Sequence, residues 1–412
     1  MGVSILVIVT GGLQSVLIAR RFGPAGKGLI ALVLLVPGTL TPLLGAGFAA
    51  SCVYFASRAP ASDTVKNATT FAVLASVVGA SVALLLAVTG ALDHIAPELS
   101  NRYLLIALGM LPVVLAQGLF GGLLMGLGEI PRVNAIRAFN ALGSLGVVGF
   151  SVGTNRGPFL IVCGIAVVTA LAVGLQIRAL HALGAPIRLG WSKKVGRAQL
   201  VFAAKDHPGT VVQFMNYRLD QLFVSGYRGA SGLGLYTVAV TVGEMLWLVP
   251  DAIATVVFPR ASRERSGEGR HATVVAATTS LILAGIGAVG LFFVGRPLIV
   301  ALFSEEFGRS YEALRWILPG AVVLGPAKIL AADLAGRGYP IINSACASIG
   351  LVMTIGFDLV LIPAHGIVGA AIASSISYLA VAGTVALAFV LLPAQAESSR
   401  SEVIGNRVGR ND

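Results

Sequence analysis

The residues of this chain best suited to chemistry are ionisable and amide side chains set inside long apolar runs. Gln213, Asn216, Tyr217 and Asp220 recur at helical i, i+3/i+4, i+7 spacing, with Arg218 among them. Tyr236, Glu244, Trp247 and Asp251 share a face of the following run, and Lys328, Asp333 and Asp358 place further charges in later ones. In the first half, Arg20 and Arg21 close the first run and Arg137 sits one turn into the fifth. In hydrocarbon such a charge costs roughly 2.5 to 3.5 kcal/mol at a helix centre unless it faces protein or water. Separate interhelical ion pairs could remove that cost, and so could one shared wet cleft. The cleft is the simpler expectation, because each independent buried pair carries its own desolvation penalty.

The elements that must position these groups are membrane-spanning helices. The chain is 56% hydrophobic and only 11% charged, with a mean hydropathy of +0.88, whereas soluble domains carry about a quarter charged residues. Apolar runs long enough to cross a bilayer are predicted at 2–19, 28–56, 68–92, 103–127, 133–153, 158–180, 204–227, 232–258, 272–303, 311–336, 341–363 and 366–392. The expected fold class is therefore an all-α integral membrane protein of about twelve transmembrane helices in two six-helix lobes. The boundaries are an N-terminal lobe over 1–180, a basic linker over 181–203, a C-terminal lobe over 204–394 and a polar tail over 395–412. Met1 to Ile18 has no basic leader and runs into Arg20-Arg21, which reads as a first span and not as a cleaved signal. A polar leader is missing, as expected of a chain that starts slightly late.

The net charge of +11 could suggest nucleic acid. The basic residues instead sit mostly in short connectors, and by about two to one they favour the side that places both termini in the cytoplasm. No nucleic-acid partner is expected. Other motifs carry no chemistry. Gly285 to Gly290 spells G-x-G-x-x-G but lies deep in an apolar run with no strand before it, so helix packing is its better reading. Gly23 to Gly28 lacks the first glycine and the final Ser/Thr of a nucleotide-binding loop. Five scattered histidines and Cys52, Cys163 and Cys346 have no metal-ligand spacing, so neither metal nor cofactor is expected.

The halves repeat. Phe22-Gly23-Pro24-Ala25-Gly26-Lys27-Gly28-Leu29 matches Arg228-Gly229-Ala230-Ser231-Gly232-Leu233-Gly234-Leu235 at a constant offset of 206 residues. A repeat in one orientation is what parallel six-helix halves leave behind, and it points to a binding site where they meet.

Three stretches carry a family resemblance. Ala19 to Gly28, Tyr217 to Gly226 with Gly232 to Ala239 and Phe258-Pro259-Arg260, and Leu361-Ile362-Pro363-Ala364-His365-Gly366-Ile367-Val368-Gly369 stand in the expected order. The chain resembles the O-antigen-type polysaccharide flippases of the multidrug/oligosaccharidyl-lipid/polysaccharide exporter superfamily. The resemblance implies an inner-membrane transporter that moves undecaprenyl-pyrophosphate-linked oligosaccharide outward by alternating access, with a polymerase and glycosyltransferases as further partners. It also implies a longer N-terminal leader and extra C-terminal spans, both missing here, which leaves twelve spans.

On that reading Arg20, Arg21, Arg137, Arg218 and Lys328 neutralise the pyrophosphate, and Gln213, Asn216 and Tyr217 hydrogen-bond sugars. Asp220, Glu244 and Asp333 bind a proton or Na⁺, since no ATP site exists. A multidrug cation/proton antiporter of the same superfamily is the nearest alternative, and it would want carboxylates and aromatics around a cationic drug. A lipid II flippase resembles the chain less at the three signatures. A membrane-embedded glycosyltransferase or polymerase would need a sizeable extracytoplasmic loop, which the short connectors on that side do not supply, so no enzyme is expected.

Overall fold

The computed structural model describes residues 2–45, 47–89, 99, 101–263 and 269–392. The tail expected over 395–412 lies outside the described residues, as does the end of the third expected span. Among the described residues are twelve α-helices and no strand: α1 (Gly2–Gly45), α2 (Phe48–Ala56), α3 (Ala61–Val88), α4 (Asn101–Gly126), α5 (Ile130–Gly153), α6 (Pro158–Ala182), α7 (Lys193–Glu244), α8 (Leu248–Arg263), α9 (Gly269–Phe303), α10 (Ser310–Gly336), α11 (Pro340–His365) and α12 (Ile367–Leu391). Ten stretches are long and apolar enough to cross a bilayer. Two of them, Gly2–Gly45 with 44 residues and His207–Ser262 with 56, are long enough for two crossings each, since one crossing takes about 20 residues. On α9 the large residues Ile282, Ile286, Val289 and Phe293 follow one another at helical spacing and are all exposed, a stripe suited to acyl chains.

Both double-length helices turn at one glycine. Gly23 has φ 60° and ψ −171°, and Gly229 has φ 65° and ψ −173°. A side chain at either would be strained in this left-handed conformation. The two lie at the offset of the sequence repeat, so the repeat is also a repeat of backbone conformation. A second correspondence joins the far ends of the same spans: a Cβ on Gly126 of α4 would strike the Val53 carbonyl of α2, and one on Gly336 of α10 would strike the Phe258 carbonyl of α8.

Two expected spans are interrupted. The run 28–56 is divided between the second limb of α1 and α2, with Pro37 and Pro42 in the former and a positive φ of 68° at Gly47. The run 232–258 is divided by a 3₁₀ turn at Met245–Trp247. Proline removes a backbone donor and crowds the preceding turn, so hydropathy runs straight through breaks that the backbone makes. The connector expected over 181–203 becomes helical at Lys193, directly after Ser192, whose backbone is extended and whose hydroxyl donates to Asp63 at 3.1 Å.

Candidate functional site

α1, α2, α4, α5 and α6 line a cavity of about 960 Å³ in the N-terminal half, with Gln14, Gln117, Arg137, Asn140, Ser144 and Gln176 among its residues. Gln14 donates to the Ala141 carbonyl at 3.4 Å and Gln176 to that of Gln117 at 3.2 Å. The Asn140 Oδ1 and Gln176 Oε1 acceptors are buried without a partner among the described residues. Arg137 is the cation of this wall, and no ion pair ties it down among the described residues.

A second cavity, of about 660 Å³, lies in the C-terminal half, lined by Gln213, Asn216 and Tyr217 of α7, Asp251 of α8, Lys328 of α10 and Asn343 of α11 among others. Lys328 Nζ is 3.0 Å from Asp251 Oδ1, 4.1 Å from the centre of the Trp247 ring and 5.6 Å from that of Tyr217. Both cavities are lined near the starts of the odd-numbered spans, by Val3 and Ser4 in one and by Phe202 and Gly209 in the other.

At the opposite ends of those spans the halves are shut against each other. A Cβ on Gly28 would overlap the Ala230 carbonyl, and one on Gly234 would overlap the Pro24 carbonyl. Pro24 and Ala230 are themselves a repeat pair, so the contact is reciprocal. Only glycine lets the backbones approach this closely. Arg20 strengthens the closure by donating from Nε to the Leu302 carbonyl at 2.8 Å and from Nη2 to that of Ala301. These are terminal carbonyls of α9, which the helix leaves without internal donors. Arg21 donates to Asn155 Oδ1 in the connector between α5 and α6.

Beneath the second cavity lies a polar core. Asp220 is buried and accepts from the Tyr236 hydroxyl at 2.5 Å, from Ser374 at 3.3 Å and from the Gln221 backbone N–H at 2.7 Å. One turn away Asn216 accepts from Thr354 at 3.1 Å, and Thr354 meets Ser377 at 2.7 Å. Asp358, one turn beyond Thr354 on α11, is fully buried. Neither of its carboxylate oxygens has a hydrogen-bond partner among the described residues. A buried charge without a partner costs several kcal/mol.

The sequence-derived residues therefore divide. Arg137 lines one cavity, and Gln213, Asn216, Tyr217 and Lys328 line the other. Arg20 and Arg21 face neither: they end the first limb of α1 at the closed end, just before the Gly23 turn. Arg218 and Glu244 meet each other at 3.8 Å. Asp333 is buried, paired with Arg337 one turn along α10 and accepting from Thr273 at 2.7 Å; it sits apart from the polar core. Asp220 lies below the cavity floor, not in its wall. The residues that sequence reasoning missed are Gln14, Asn140 and Gln176, which carry no charge to draw the eye, and Asp358, whose relation to Asp220 depends on α7 and α11 packing together.

A family model described as polysaccharide biosynthesis protein matches residues 2–264. An uncharacterised membrane protein of Methanocaldococcus jannaschii is 23% identical over 170 residues, 40% of this chain and 40% of the relative, so the match spans well under half of that protein. Among solved structures, the lipid II flippase MurJ in an inward closed conformation superposes with a TM-score of 0.78 at 16% identity, over 95% of this chain and 87% of that one. A multidrug resistance MATE family transporter of the MOP superfamily superposes at 0.70 in its inward-facing conformation, with 15% identity over 93% of this chain and 94% of that one. The outward-facing conformation of such a transporter gives 0.61 at 16% identity, over 94% of each chain. At these identities the likeness is one of fold.

Proposed function

The chain belongs to the polysaccharide biosynthesis protein family, and from that premise we propose that it is a carrier which flips an undecaprenyl-pyrophosphate-linked oligosaccharide across the bacterial inner membrane. The observation that carries this reading is a cation in each of two cavities that open toward one membrane face, above a reciprocal glycine contact that shuts the other. We place both termini and the cavity mouths on the cytoplasmic side, in keeping with the basic connectors. We take 1–180 and 204–394 as the lobes that rock about the 181–203 linker. The better fit to the inward-facing MATE transporter than to the outward-facing one accords with this orientation.

On this reading Arg137 and Lys328 receive the pyrophosphate from the two sides, because guanidinium and ammonium groups make charge-assisted bonds to phosphate oxygens. The amides of the N-terminal cavity and Gln213, Asn216 and Tyr217 take up sugar hydroxyls. Coupling falls to the polar core: Asp220 and Asp358, with the hydroxyls of Thr354 and Ser374, present the hard oxygen donors that suit a proton or Na⁺. Asp333, held by Arg337, is assigned to structure, and Glu244 and Arg218 to the path between core and cavity. A polymerase and glycosyltransferases would work on either side of this step.

The test is reconstitution. Purified protein in liposomes should move labelled lipid-linked oligosaccharide to the leaflet where an added lectin captures it, with the sugar chemically unchanged. Transfer no faster than in protein-free liposomes would end the flippase reading, and sugar released or extended would make the chain an enzyme. The cation antiporter is the second reading, favoured by the shared fold. It requires uptake of an organic cation against a proton or Na⁺ gradient.

A further inference from the structure

The surroundings of Lys328 are those of a cation-binding site. Trp247 holds its ring in place by donating from Nε1 to the Ala321 carbonyl at 2.9 Å, two turns before Lys328 on α10. Tyr217 packs on Trp247 with ring centres 5.7 Å apart, and Tyr378 closes the back at 5.5 Å from Trp247. The Lys328 ammonium lies over the Trp247 face, and its counter-ion Asp251 is over half exposed while Lys328 itself is mostly buried. Aromatic faces with a nearby carboxylate are the standard means of holding an organic cation in a desolvated pocket. Here the cage opens onto the C-terminal cavity, and a side chain of the protein already fills it.

We propose that Trp247, Tyr217 and Asp251 form a cation-recognising site occupied by the tethered ammonium of Lys328, and that this occupancy makes the cavity reject organic cations and receive anionic groups. Lys328 thereby sets specificity. An entering diphosphate takes the place of the exposed Asp251 carboxylate as counter-ion, while the rings keep the ammonium in position. The anionic substrate rests on the function proposed above; the cage does not.

Equilibrium binding of radiolabelled tetraphenylphosphonium to the purified protein in detergent tests this without any transport. Wild type and Lys328→Arg should bind it weakly. Lys328→Ala and Lys328→Gln, which empty the cage differently and guard against one of them folding poorly, should each bind at least tenfold more tightly. Adding Asp251→Asn to either should return binding to the wild-type level. Wild type binding as tightly as the emptied variants would overturn the proposal. So would both emptied variants gaining nothing at unchanged melting temperature, or a gain that survives Asp251→Asn. A chain that shows the expected pattern yet moves no lipid-linked sugar would keep the cage and lose its assigned substrate.

Discussion

Aligned at their offset of 206 residues, the two halves pair Gly23 with Gly229 and Gly28 with Gly234, but they also pair Gln14 with Asp220, Thr10 with Asn216 and Ile30 with Tyr236. The turn glycines Gly23 and Gly229 agree in type and in backbone angles. The polar core does not recur: where the C-terminal half buries a carboxylate against a tyrosine, the paired positions of the N-terminal half hold a glutamine, bonded to the Ala141 carbonyl, and an isoleucine. Symmetry is thus kept where two backbones must meet and abandoned where side chains must do different work. On the proposed reading, the N-terminal half contributes a neutral, amide-lined wall with one cation, and the C-terminal half adds the buried carboxylates that an ion can address.

The largest effect should come from breaking the shared feature. Gly28→Val and Gly234→Val each drive a branched side chain into the facing backbone, so each should abolish both closure and translocation. Gly38→Ala, at a site with open space around it, should leave both intact. Translocation in liposomes measures all three, and a working Gly28→Val protein would remove the glycine contact from the mechanism.

Next come the features that differ. Arg137→Ala should slow translocation by about ten- to a hundredfold, the worth of one or two hydrogen bonds to a charged group. Initial rates at saturating and limiting substrate would check it, and the loss should appear chiefly at limiting substrate. The polar core should respond separately. Asp358→Asn replaces an unpartnered buried carboxyl group by a neutral amide of the same shape, so melting temperature should hold or rise, while the response of melting and transport to Na⁺ or to pH should disappear. Gln14→Ala, at the paired position, should leave that response unchanged. An ion response that survives Asp358→Asn would place coupling elsewhere.

The smallest effect belongs to Arg20. It binds helix-end carbonyls at an exposed position, and such a bond contributes about 0.5–1.5 kcal/mol. Arg20→Ala should therefore change the rate by roughly threefold to tenfold through closure, with little change in apparent substrate affinity. A loss of affinity matching that of Arg137→Ala would return Arg20 to the substrate.

Much of this was legible in the residues. Hydropathy located the spans, and the repeat of glycines located a turn and a close backbone contact where a binding site was expected, because a position that only glycine can fill leaves the same mark in both halves. The ionisable residues inside spans were visible for the same reason, since each is costly there. The single expected cleft is instead two cavities, and Arg20 and Asp333 line neither, because sequence places a charge along a helix but says nothing of what packs beside it. Arg20 ends the first limb of α1, just before the turn at Gly23, and bonds α9 carbonyls there, and Asp333 is answered one turn later by Arg337. The amides of the N-terminal cavity escaped notice because glutamine and asparagine leave weaker marks in an apolar run than a charge does.

The account rests on two halves that rock about the Gly28–Gly234 contact, and paired distances test this most directly. Spin labels at Arg156→Cys and His365→Cys report on the outer ends of the two halves, and labels at Ser57→Cys and Ser262→Cys on the inner ends, in a protein whose own cysteines have been replaced. On adding lipid-linked oligosaccharide and the coupling ion, the outer distance should lengthen as the inner one shortens. Both pairs moving together, or neither moving while the liposomes still carry out translocation, would contradict it.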